Sequence, residues 1–395
     1  MNKSNYSTIL DFGHSKLRLG VFNKNLENVY STSKKIIEKD NIEEYSNTVK
    51  LIIKDAEKNI ADHLENIIVL YDSSQIHSID LSIKKDFDQN VYFKDINSSL
   101  ILEANQLIQN NYIKDKIIHF MINKYIIDDK EYFKPKKELK LKKIIAEIKF
   151  VCLPIVKFNE IVHLLKKNNL QVLNFYCSSY VKSFSYINSL IENKFTTFLD
   201  IGWERSTITL FESKKLKFIS SISIGGNHIS KDISHILKLD IKEAEKIKKS
   251  FNKSEIEFSY NENSENIDNE NNSLMKEIIK KNISLELLKK VVLARIEEII
   301  ELAFRDINII NDYKISSKSI LILTGDGSKI FNKNSFHLDD KYNFKEISFY
   351  EETNLEICNS GLKFYKVSED EEIKMSNKMV KKEGFFEKFF KFFGR

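Results

Sequence analysis

A carboxylate and a glycine stand together in a short turn near the start of the chain, a combination suited to binding phosphate. Asp11 and Gly13 follow the apolar residues Ile9 and Leu10, and Ser15 and Lys16 come two and three residues after the glycine. Glycine leaves room for backbone N–H groups to approach a phosphate, while the serine and lysine add a hydroxyl donor and a positive charge. Asp11 could hold a Mg²⁺ ion through water. Taken alone, the turn is more simply explained as an ordinary hairpin.

The same arrangement occurs a second time, 189 residues further along, in the segment TTFLDIGWERSTITLF. Aligning Asp11 with Asp200 also aligns Gly13 with Gly202, with apolar strands on both sides of each turn. One strand–turn–strand match is weak, but two at this separation indicate a duplicated domain.

Two more glycine turns follow in the second half of the chain. Gly225 and Gly226 precede a segment of helical apolar periodicity, and a further helix carries Lys248. The turn TGDGSK at 324–329, with Gly325 and Gly327, comes after the apolar strand SILIL. Glycine turns at element ends are typical of sites where backbone approaches a ligand closely.

Between the two hairpins, the sequence has a different pattern of strands and helices. Strands at 117–127 and 144–153 flank a polar connection, and a helix near 161–165 precedes the strand QVLNFYC. This pattern predicts a small α+β subdomain inserted into the first half.

Together these features resemble the actin/Hsp70-like nucleotide-binding fold and, within it, the bacterial cell-division family FtsA. The resemblance spans nearly the whole chain and is weakest at 23–110 and 252–282. It implies an α/β fold of duplicated actin-like (ribonuclease H-like) domains, with an inserted α+β subdomain (1C) and a C-terminal amphipathic helix. The segments that carry it are LDFGHSKLRL, LDIGWERSTITLF, ISIGGNHISKDISHILKLDIKEAEKIK, RIEEII, the LTGDGS turn and HFMINKYIID through QVLNFYCSS.

The resemblance and the changes in composition predict the domain boundaries. They are 1–74 for the first part of subdomain 1A, 75–176 for the inserted subdomain 1C, 177–195 for the return to 1A, 196–365 for subdomains 2A/2B, 366–382 for a flexible linker and 383–395 for a membrane-targeting helix.

The resemblance also implies a cleft for ATP and Mg²⁺, but the loops depart from the family pattern. Trp203 and Glu204 follow Gly202 where a glycine run is usual, and Asp326 replaces the middle glycine of three. A tryptophan cannot give the close backbone approach of glycine, and a glutamate repels phosphate. We therefore leave open whether ATP binding is retained or lost, expect no significant ATP hydrolysis, and assign no catalytic residue. The implied cleft residues are Asp11, Gly13, Ser15, Lys16, Asp200, Gly202, Gly225, Gly226, Lys248, Gly325 and Gly327.

The last thirteen residues, EGFFEKFFKFFGR, have the spacing of an amphipathic helix. Six phenylalanines share one broad face, and Lys388 and Lys391 lie on the other. Such a face lies in a membrane interface, and the lysines add attraction to an anionic inner leaflet. The alternative is a helix docked on the protein's own core or on another copy. The apolar residues are Phe385, Phe386, Phe389, Phe390, Phe392 and Phe393.

Composition excludes some classes of protein. The charge is nearly balanced, with 62 Lys+Arg against 57 Asp+Glu, so the sequence predicts no nucleic-acid partner. Three isolated cysteines predict neither a disulfide framework nor a zinc site, and they fit a reducing, cytoplasmic compartment.

By resemblance, we expect a peripheral protein on the inner face of the cell membrane at the division site. Its implied partners are the C-terminal tail of the tubulin-like FtsZ, further copies of itself, later division proteins and anionic lipid. Two alternatives stay open: a PilM-like adaptor of pilus assembly, which shares the inserted subdomain, and an ATPase of the actin/Hsp70 type.

Overall fold

The computed structural model describes residues 5–36, 41–189, 195–254, 283–309, 319–330 and 344–379. Two five-stranded sheets have the same strand order, β3-β2-β1-β4-β9 and β12-β11-β10-β13-β14. Each is an antiparallel three-stranded meander extended by two parallel strands. The predicted duplication is therefore confirmed at the level of topology.

The strands of the first sheet are β1 Ser7–Phe12, β2 Lys16–Phe22, β3 Asn28–Lys35, β4 Asn66–Tyr71 and β9 Gln171–Cys177. Those of the second are β10 Phe195–Ile201, β11 Ser206–Glu212, β12 Lys215–Ile222, β13 Ile320–Thr324 and β14 Glu346–Phe349.

Helices pack on both five-stranded sheets and on the inserted subdomain described below. They are α1 Ile42–Ile60, α2 Phe93–Asn111, α3 Ile155–Lys167, α4 Ser178–Ser189, α5 Gly226–Leu237, α6 Ile241–Ser254, α7 Leu285–Ile309 and α8 Asn354–Met379, with a 3₁₀ turn at Asp326–Ile330. In the described residues, no helix is long and apolar enough to cross a membrane.

The inserted subdomain is a separate sheet of order β5-β8-β6-β7 with its own apolar core against α2. Its strands are β5 His77–Tyr92, β6 Asp115–Ile127, β7 Lys130–Tyr132 and β8 Lys140–Pro154.

The insertion ends earlier than the boundary of 176 that the sequence predicts. Strand β9 pairs in parallel with β4 of the first sheet, and α3 leads into it from β8. Parallel strands need a crossover connection, which is usually helical, so α3 and β9 belong to the first domain. The inserted subdomain is therefore 77–154.

The C-terminal helix α8 returns to the first domain, although the predicted boundary gave residues up to 365 to the second. Ile357, Cys358 and Leu362 on α8 are buried against Ile9 of β1 and Leu70 of β4. The helix then continues to Met379, across most of the segment 366–382 that composition predicts as a flexible linker. The phenylalanine-rich segment 383–395 lies outside the described residues.

Helix α4 connects the two halves of the molecule. We call β1–β4, β9, α1, α3, α4 and α8 the first domain, and β10–β14 with α5–α7 the second domain. Tyr180 of α4 stacks on Phe211 of β11, and Tyr186 packs edge-on against Phe198 of β10. One apolar cluster therefore extends from the first domain into the second.

Candidate functional site: a charged interdomain cleft

A cleft of about 600 Å³ lies between the two domains, where β1 and β10 end at their turns. Tyr45, Tyr71 and Ile161 of the first domain form an apolar part of its wall. The remainder is strongly charged, with eight acidic side chains and five basic ones. The charged groups decide what the cleft can hold.

Asp11 is at the end of β1, directly opposite Arg18 in the register of the β1–β2 hairpin. Its Oδ2 accepts from Arg18 Nη1 at 2.6 Å, and its Oδ1 accepts from the Ser178 hydroxyl at 2.8 Å. Both carboxylate oxygens of this buried residue are thus engaged, one of them by a full positive charge.

Asp200 occupies the equivalent position at the end of β10. Its Oδ2 accepts from the Ser179 hydroxyl at 2.6 Å and is 2.9 Å from Lys182 Nζ. Lys182 is also 3.0 Å from Glu352. Burial alone would lower the pKa of Lys182, but the carboxylates of Asp200 and Glu352 hold it above its usual value. Burial would likewise raise the pKa of Asp200, and Lys182 with Arg205 holds it below its usual range.

A third carboxylate, Asp72, follows strand β4 and is almost completely buried. It forms an ion pair with Arg205 Nη2 and accepts from the Ser179 backbone N–H at 3.0 Å, and the Ser179 hydroxyl oxygen lies 2.8 Å from the same carboxylate. Arg205 also donates to the Thr207 hydroxyl at 2.8 Å. Arg205 belongs to the second domain and Asp72 to the first.

The turn after β13 adds a fourth acidic group. Gly325 has a φ of +85°, and a Cβ there would lie 2.3 Å from Asp200 Oδ1, so this close approach requires glycine. The next residue, Asp326, is 3.2 Å from Arg18 Nη2 and 3.4 Å from Lys16 Nζ. Burial would raise the pKa of Asp326, but Lys16 and Arg18 keep it below the usual value.

The turn containing Trp203 covers the N-terminus of α5. The carbonyl of Gly202 accepts from Gly226 N at 2.9 Å, and that of Trp203 accepts from Asn227 N at 2.8 Å. A Cβ on Gly225 would lie 2.7 Å from the Gly202 oxygen, so glycine permits this contact. Free amides at a helix N-terminus bind phosphate well, but these two amides are already bonded within the protein.

Six of the predicted cofactor residues line the cleft: Asp11, Gly13, Ser15, Asp200, Gly202 and Gly325. The other five, Lys16, Gly225, Gly226, Lys248 and Gly327, do not. Lys248 Nζ instead donates to the Gly226 carbonyl at 2.8 Å and pairs with Glu245 at 2.6 Å. The ammonium group is 5.2 Å from the centre of the Trp203 ring, so this lysine packs against the 202–205 turn and does not line the cleft.

The chemistry of the donor set decides whether Mg²⁺-nucleotide fits this cleft. The carboxylates of Asp11 and Asp200, the implied metal side of the site, are bonded to Arg18 and Lys182, and among the described residues no cluster of acidic, His or Cys side chains could hold a metal. The excess of acidic groups also disfavours a polyphosphate anion. The residues that line the cleft therefore do not fit Mg²⁺-nucleotide.

Arg18, Asp72, Lys182, Arg205 and Glu352 are important members of the cleft that sequence reasoning did not assign. Asp72 carried a usable signal, since it follows the apolar run IIVLY as Asp11 follows Ile9 and Leu10. The two arginines are among only five in the chain, and each lies beside a DxG turn. For Lys182 and Glu352 no local signal exists, because they reach the cleft from α4 and from the segment before α8.

Comparison with known proteins identifies the fold. The sequence model of the family described as Cell division protein FtsA matches residues 197–332, about a third of the chain. A structure titled PilM-PilN type IV pilus biogenesis complex matches with a TM-score of 0.59 and 13% identity, over 90% of this chain and 98% of that one. No curated protein sequence matches the chain.

Two further solved structures extend the comparison. The ethanolamine utilization protein EutJ from Carboxydothermus hydrogenoformans has a TM-score of 0.47 and 12% identity, over 91% of this chain and 89% of that one. MreB 5 of Spiroplasma citri bound to AMPPNP has a TM-score of 0.47 and 12% identity, over 94% and 99%.

The protein therefore has the actin-like ATPase fold, as the sequence predicts. Within that class, the FtsA family model is similar to one part of the chain, from β10 to the glycine turn after β13.

Proposed function

We propose that the protein is an actin-like cell-division scaffold that tethers FtsZ filaments to the inner face of the cytoplasmic membrane. In this proposal it self-associates on the membrane and helps to recruit later division proteins. The observation that carries the proposal is the match of residues 197–332 to the FtsA family. The actin-like fold of the whole chain is consistent with it.

The cleft favours a scaffold over a motor or chaperone ATPase. Hydrolysis of a nucleotide needs a metal and donors aimed at the developing charge. Here the carboxylates at the two DxG turns are paired with basic side chains, and the amides of α5 are bonded to the 202–205 turn. An ATPase of the actin/Hsp70 type is therefore the weaker alternative.

The membrane part of the proposal rests on the sequence of 383–395. Full burial of six phenylalanines would give roughly 9–18 kcal/mol, but interfacial immersion is partial and ordering of a short helix offsets much of it. Each nearby lysine adds about 1 kcal/mol at most on an anionic surface. A single helix is then a weak anchor, and several copies in one assembly supply the avidity that it lacks.

Co-sedimentation with vesicles tests the anchor. We expect the full chain to pellet with vesicles that contain anionic lipid, and a chain carrying Phe389→Glu and Phe390→Glu to stay in the supernatant. Glu387→Gln, on the polar face, is the matched control and should pellet like the wild type. Failure of the wild-type chain to pellet would count against membrane tethering.

Binding to the FtsZ tail tests the partner. We expect the folded full chain to bind a peptide with the sequence of the FtsZ C-terminal tail and not a scrambled peptide of the same composition. Equal retention of both peptides, or of neither, would contradict the proposal.

The second candidate is a PilM-like adaptor, because the structure matched with a TM-score of 0.59 is titled as a PilM-PilN complex. Proteins of that kind reach the membrane through the tail of a partner, so this candidate predicts no pelleting of the isolated chain. The vesicle experiment therefore separates the two candidates.

A further inference from the structure

Four ion pairs of the described residues join the first domain to the second across the cleft, and one of them, Lys16 with Asp326 at 3.4 Å, shares its acid with the closer Arg18. In the other three, Arg205 of the second domain pairs with Asp72, Lys182 of α4 pairs with Asp200 at 2.9 Å, and Arg18 pairs with Asp326 at 3.2 Å. We call these the three bridging ion pairs. They lie around the ends of β1 and β10, where the two domains approach each other.

Two of the bridging pairs are buried deeply enough to have lost most of their water. The exposed fractions of the side chains are 1% for Asp72, 4% for Asp200 and 9% for Lys182. A buried ion pair is stable only when its remaining donors and acceptors are satisfied, and breaking it leaves an uncompensated charge. Ser179 serves both acids, because its backbone N–H donates to Asp72 and its hydroxyl donates to Asp200.

Basic side chains are paired with the two carboxylates that the family resemblance implies for Mg²⁺. The Arg18 guanidinium is on Asp11 and the Lys182 ammonium is on Asp200, at the turns of both hairpins. Both α5 amides that face the 202–205 turn are bonded to its carbonyls. Mg²⁺ could reach Asp11 and Asp200 only after these buried, satisfied contacts had been broken, and the surplus of acidic groups would repel the phosphates.

We infer that the two domains are held closed by the three bridging ion pairs, and that these pairs take the place of Mg²⁺-nucleotide in the cleft. The protein then keeps one domain arrangement whether or not ATP is present. This inference is independent of the proposed function, since a scaffold could use either a nucleotide-dependent or a permanently closed body.

Ligand binding gives the first test. We expect the full chain to show no saturable heat of binding with Mg²⁺-ATP in calorimetry, and no rise in its unfolding temperature at millimolar Mg²⁺-ATP, because only a ligand that binds the folded state stabilises it. A saturable rise that requires both Mg²⁺ and ATP would overturn the inference.

The distance between the domains gives the second test. Spin labels at Lys58→Cys on α1 and Lys242→Cys on α6 are on exposed sites in different domains, and the native cysteines are buried. We expect a single narrow distance distribution that does not change with Mg²⁺-ATP. A shift of the wild-type distribution on adding Mg²⁺-ATP would contradict a permanently closed cleft.

Removing bridging charges should open the cleft. In the labelled protein, Asp72→Asn combined with Lys182→Met should broaden the distribution toward longer distances. Lys157→Met is the matched control, because its partner Glu160 is on the same helix, one turn away. If the double variant does not fold, Asp72→Asn alone keeps the shape of the side chain and removes only its charge. An unchanged distribution in a folded variant would show that the pairs do not hold the domains.

Discussion

Lys182 is the residue on which most of the buried charge in the cleft depends. It is 2.9 Å from Asp200 and 3.0 Å from Glu352, and all three side chains are less than 10% exposed. Burial raises the pKa of Glu352 while Lys182 opposes that rise, so the lysine helps to keep this acid ionised. Loss of the ammonium group would remove the nearest counter-ion of both buried acids and leave Asp200 only the more distant Arg205, at 3.9 Å.

We therefore expect Lys182→Met to lower the free energy of unfolding by about 3–5 kcal/mol, the usual cost of breaking a buried ion pair. Lys157→Met removes a lysine from the exposed pair with Glu160 and should cost about 0–1 kcal/mol. Urea denaturation of the two variants checks the difference. Equal, small losses in both would mean that the Lys182 charge is solvated in solution.

His119 is the second residue whose charge state the fold controls. Its Nε2 accepts from the Cys177 backbone N–H at 2.8 Å, and the ring packs among Tyr176, Tyr180 and Phe364. Burial lowers the pKa of His119 from its usual 6.5 to about 3. The folded protein therefore holds the neutral ring, which the unfolded chain protonates more readily.

This depressed pKa predicts a loss of stability in acid. The contribution of His119 is complete above pH 6.5 and is lost as the pH falls toward 3, with a slope of at most about 1.4 kcal/mol per pH unit. In His119→Gln, whose side chain can still accept a hydrogen bond, this part of the slope should disappear. His63→Gln, at an exposed position, should keep the wild-type slope. Identical pH profiles in all three proteins would refute the prediction.

Only part of the cleft could be predicted from the sequence. Asp11 and Asp200 were recognisable because each ends an apolar strand and is followed by a glycine turn. Their counter-ions Arg18 and Lys182 were not, because a pairing partner is fixed by strand register and by the placement of α4, which no local pattern records. Departures such as Trp203 indicated an altered loop. In the structure, the carbonyls of Gly202 and Trp203 in this loop accept hydrogen bonds from the first amides of α5.

At the scale of elements, α8 approaches the first sheet closely because glycine stands at both contacts. A Cβ on Gly20 of β2 would lie 2.6 Å from Cys358 Cβ, an atom held by the helix backbone. A Cβ on Gly361 would lie 2.9 Å from Ile9 Cγ2 and 3.0 Å from Leu70 Cδ1, which are side-chain atoms of the buried core rather than atoms held by a helix backbone. The two glycines therefore differ in how much a methyl group would cost.

We expect Gly20→Ala to destabilise the protein by about 1–3 kcal/mol, the cost of overpacking, because the helix must shift. Gly361→Ala should cost less than Gly20→Ala, since the gain in helix propensity of about 1 kcal/mol offsets part of the displacement of Ile9 and Leu70. The double variant Gly20→Ala with Cys358→Gly should lose less than the sum of its single changes. Strict additivity in thermal unfolding would contradict a direct contact.

The elements that the sequence predicted correctly are those with a short-range signal. Both hairpins, α5 after its glycine turn and α6 with Lys248 follow from apolar spacing and turn residues. The assignment of β9 to the inserted subdomain failed because parallel pairing with β4 joins segments about a hundred residues apart. The packing of α8 on the first domain was not predicted. Its second part, 366–379, is rich in charged residues, and this composition is typical of a linker.

At the scale of the whole molecule, the two domains share an apolar core as well as the charged cleft. Phe211 of the second domain is fully buried and contacts Tyr180 and Phe198, so it belongs to the cluster that extends between the domains. Phe304 is equally buried but lies in the cluster confined to the second domain. A shared core of this kind couples the stability of the two halves.

The shared core predicts that the described body unfolds as one cooperative unit. The single tryptophan, Trp203, reports on the second domain by fluorescence, and far-UV circular dichroism reports on both. We expect the two denaturation curves of the wild type to coincide. Phe211→Ala and Phe304→Ala should each lower the free energy of unfolding by about 3–5 kcal/mol, with the curves still coincident. If Phe304→Ala moved the fluorescence curve while leaving a second, later step in the dichroism curve, the domains would be independent units. The bridging ion pairs would then act on their relative position without coupling their folding.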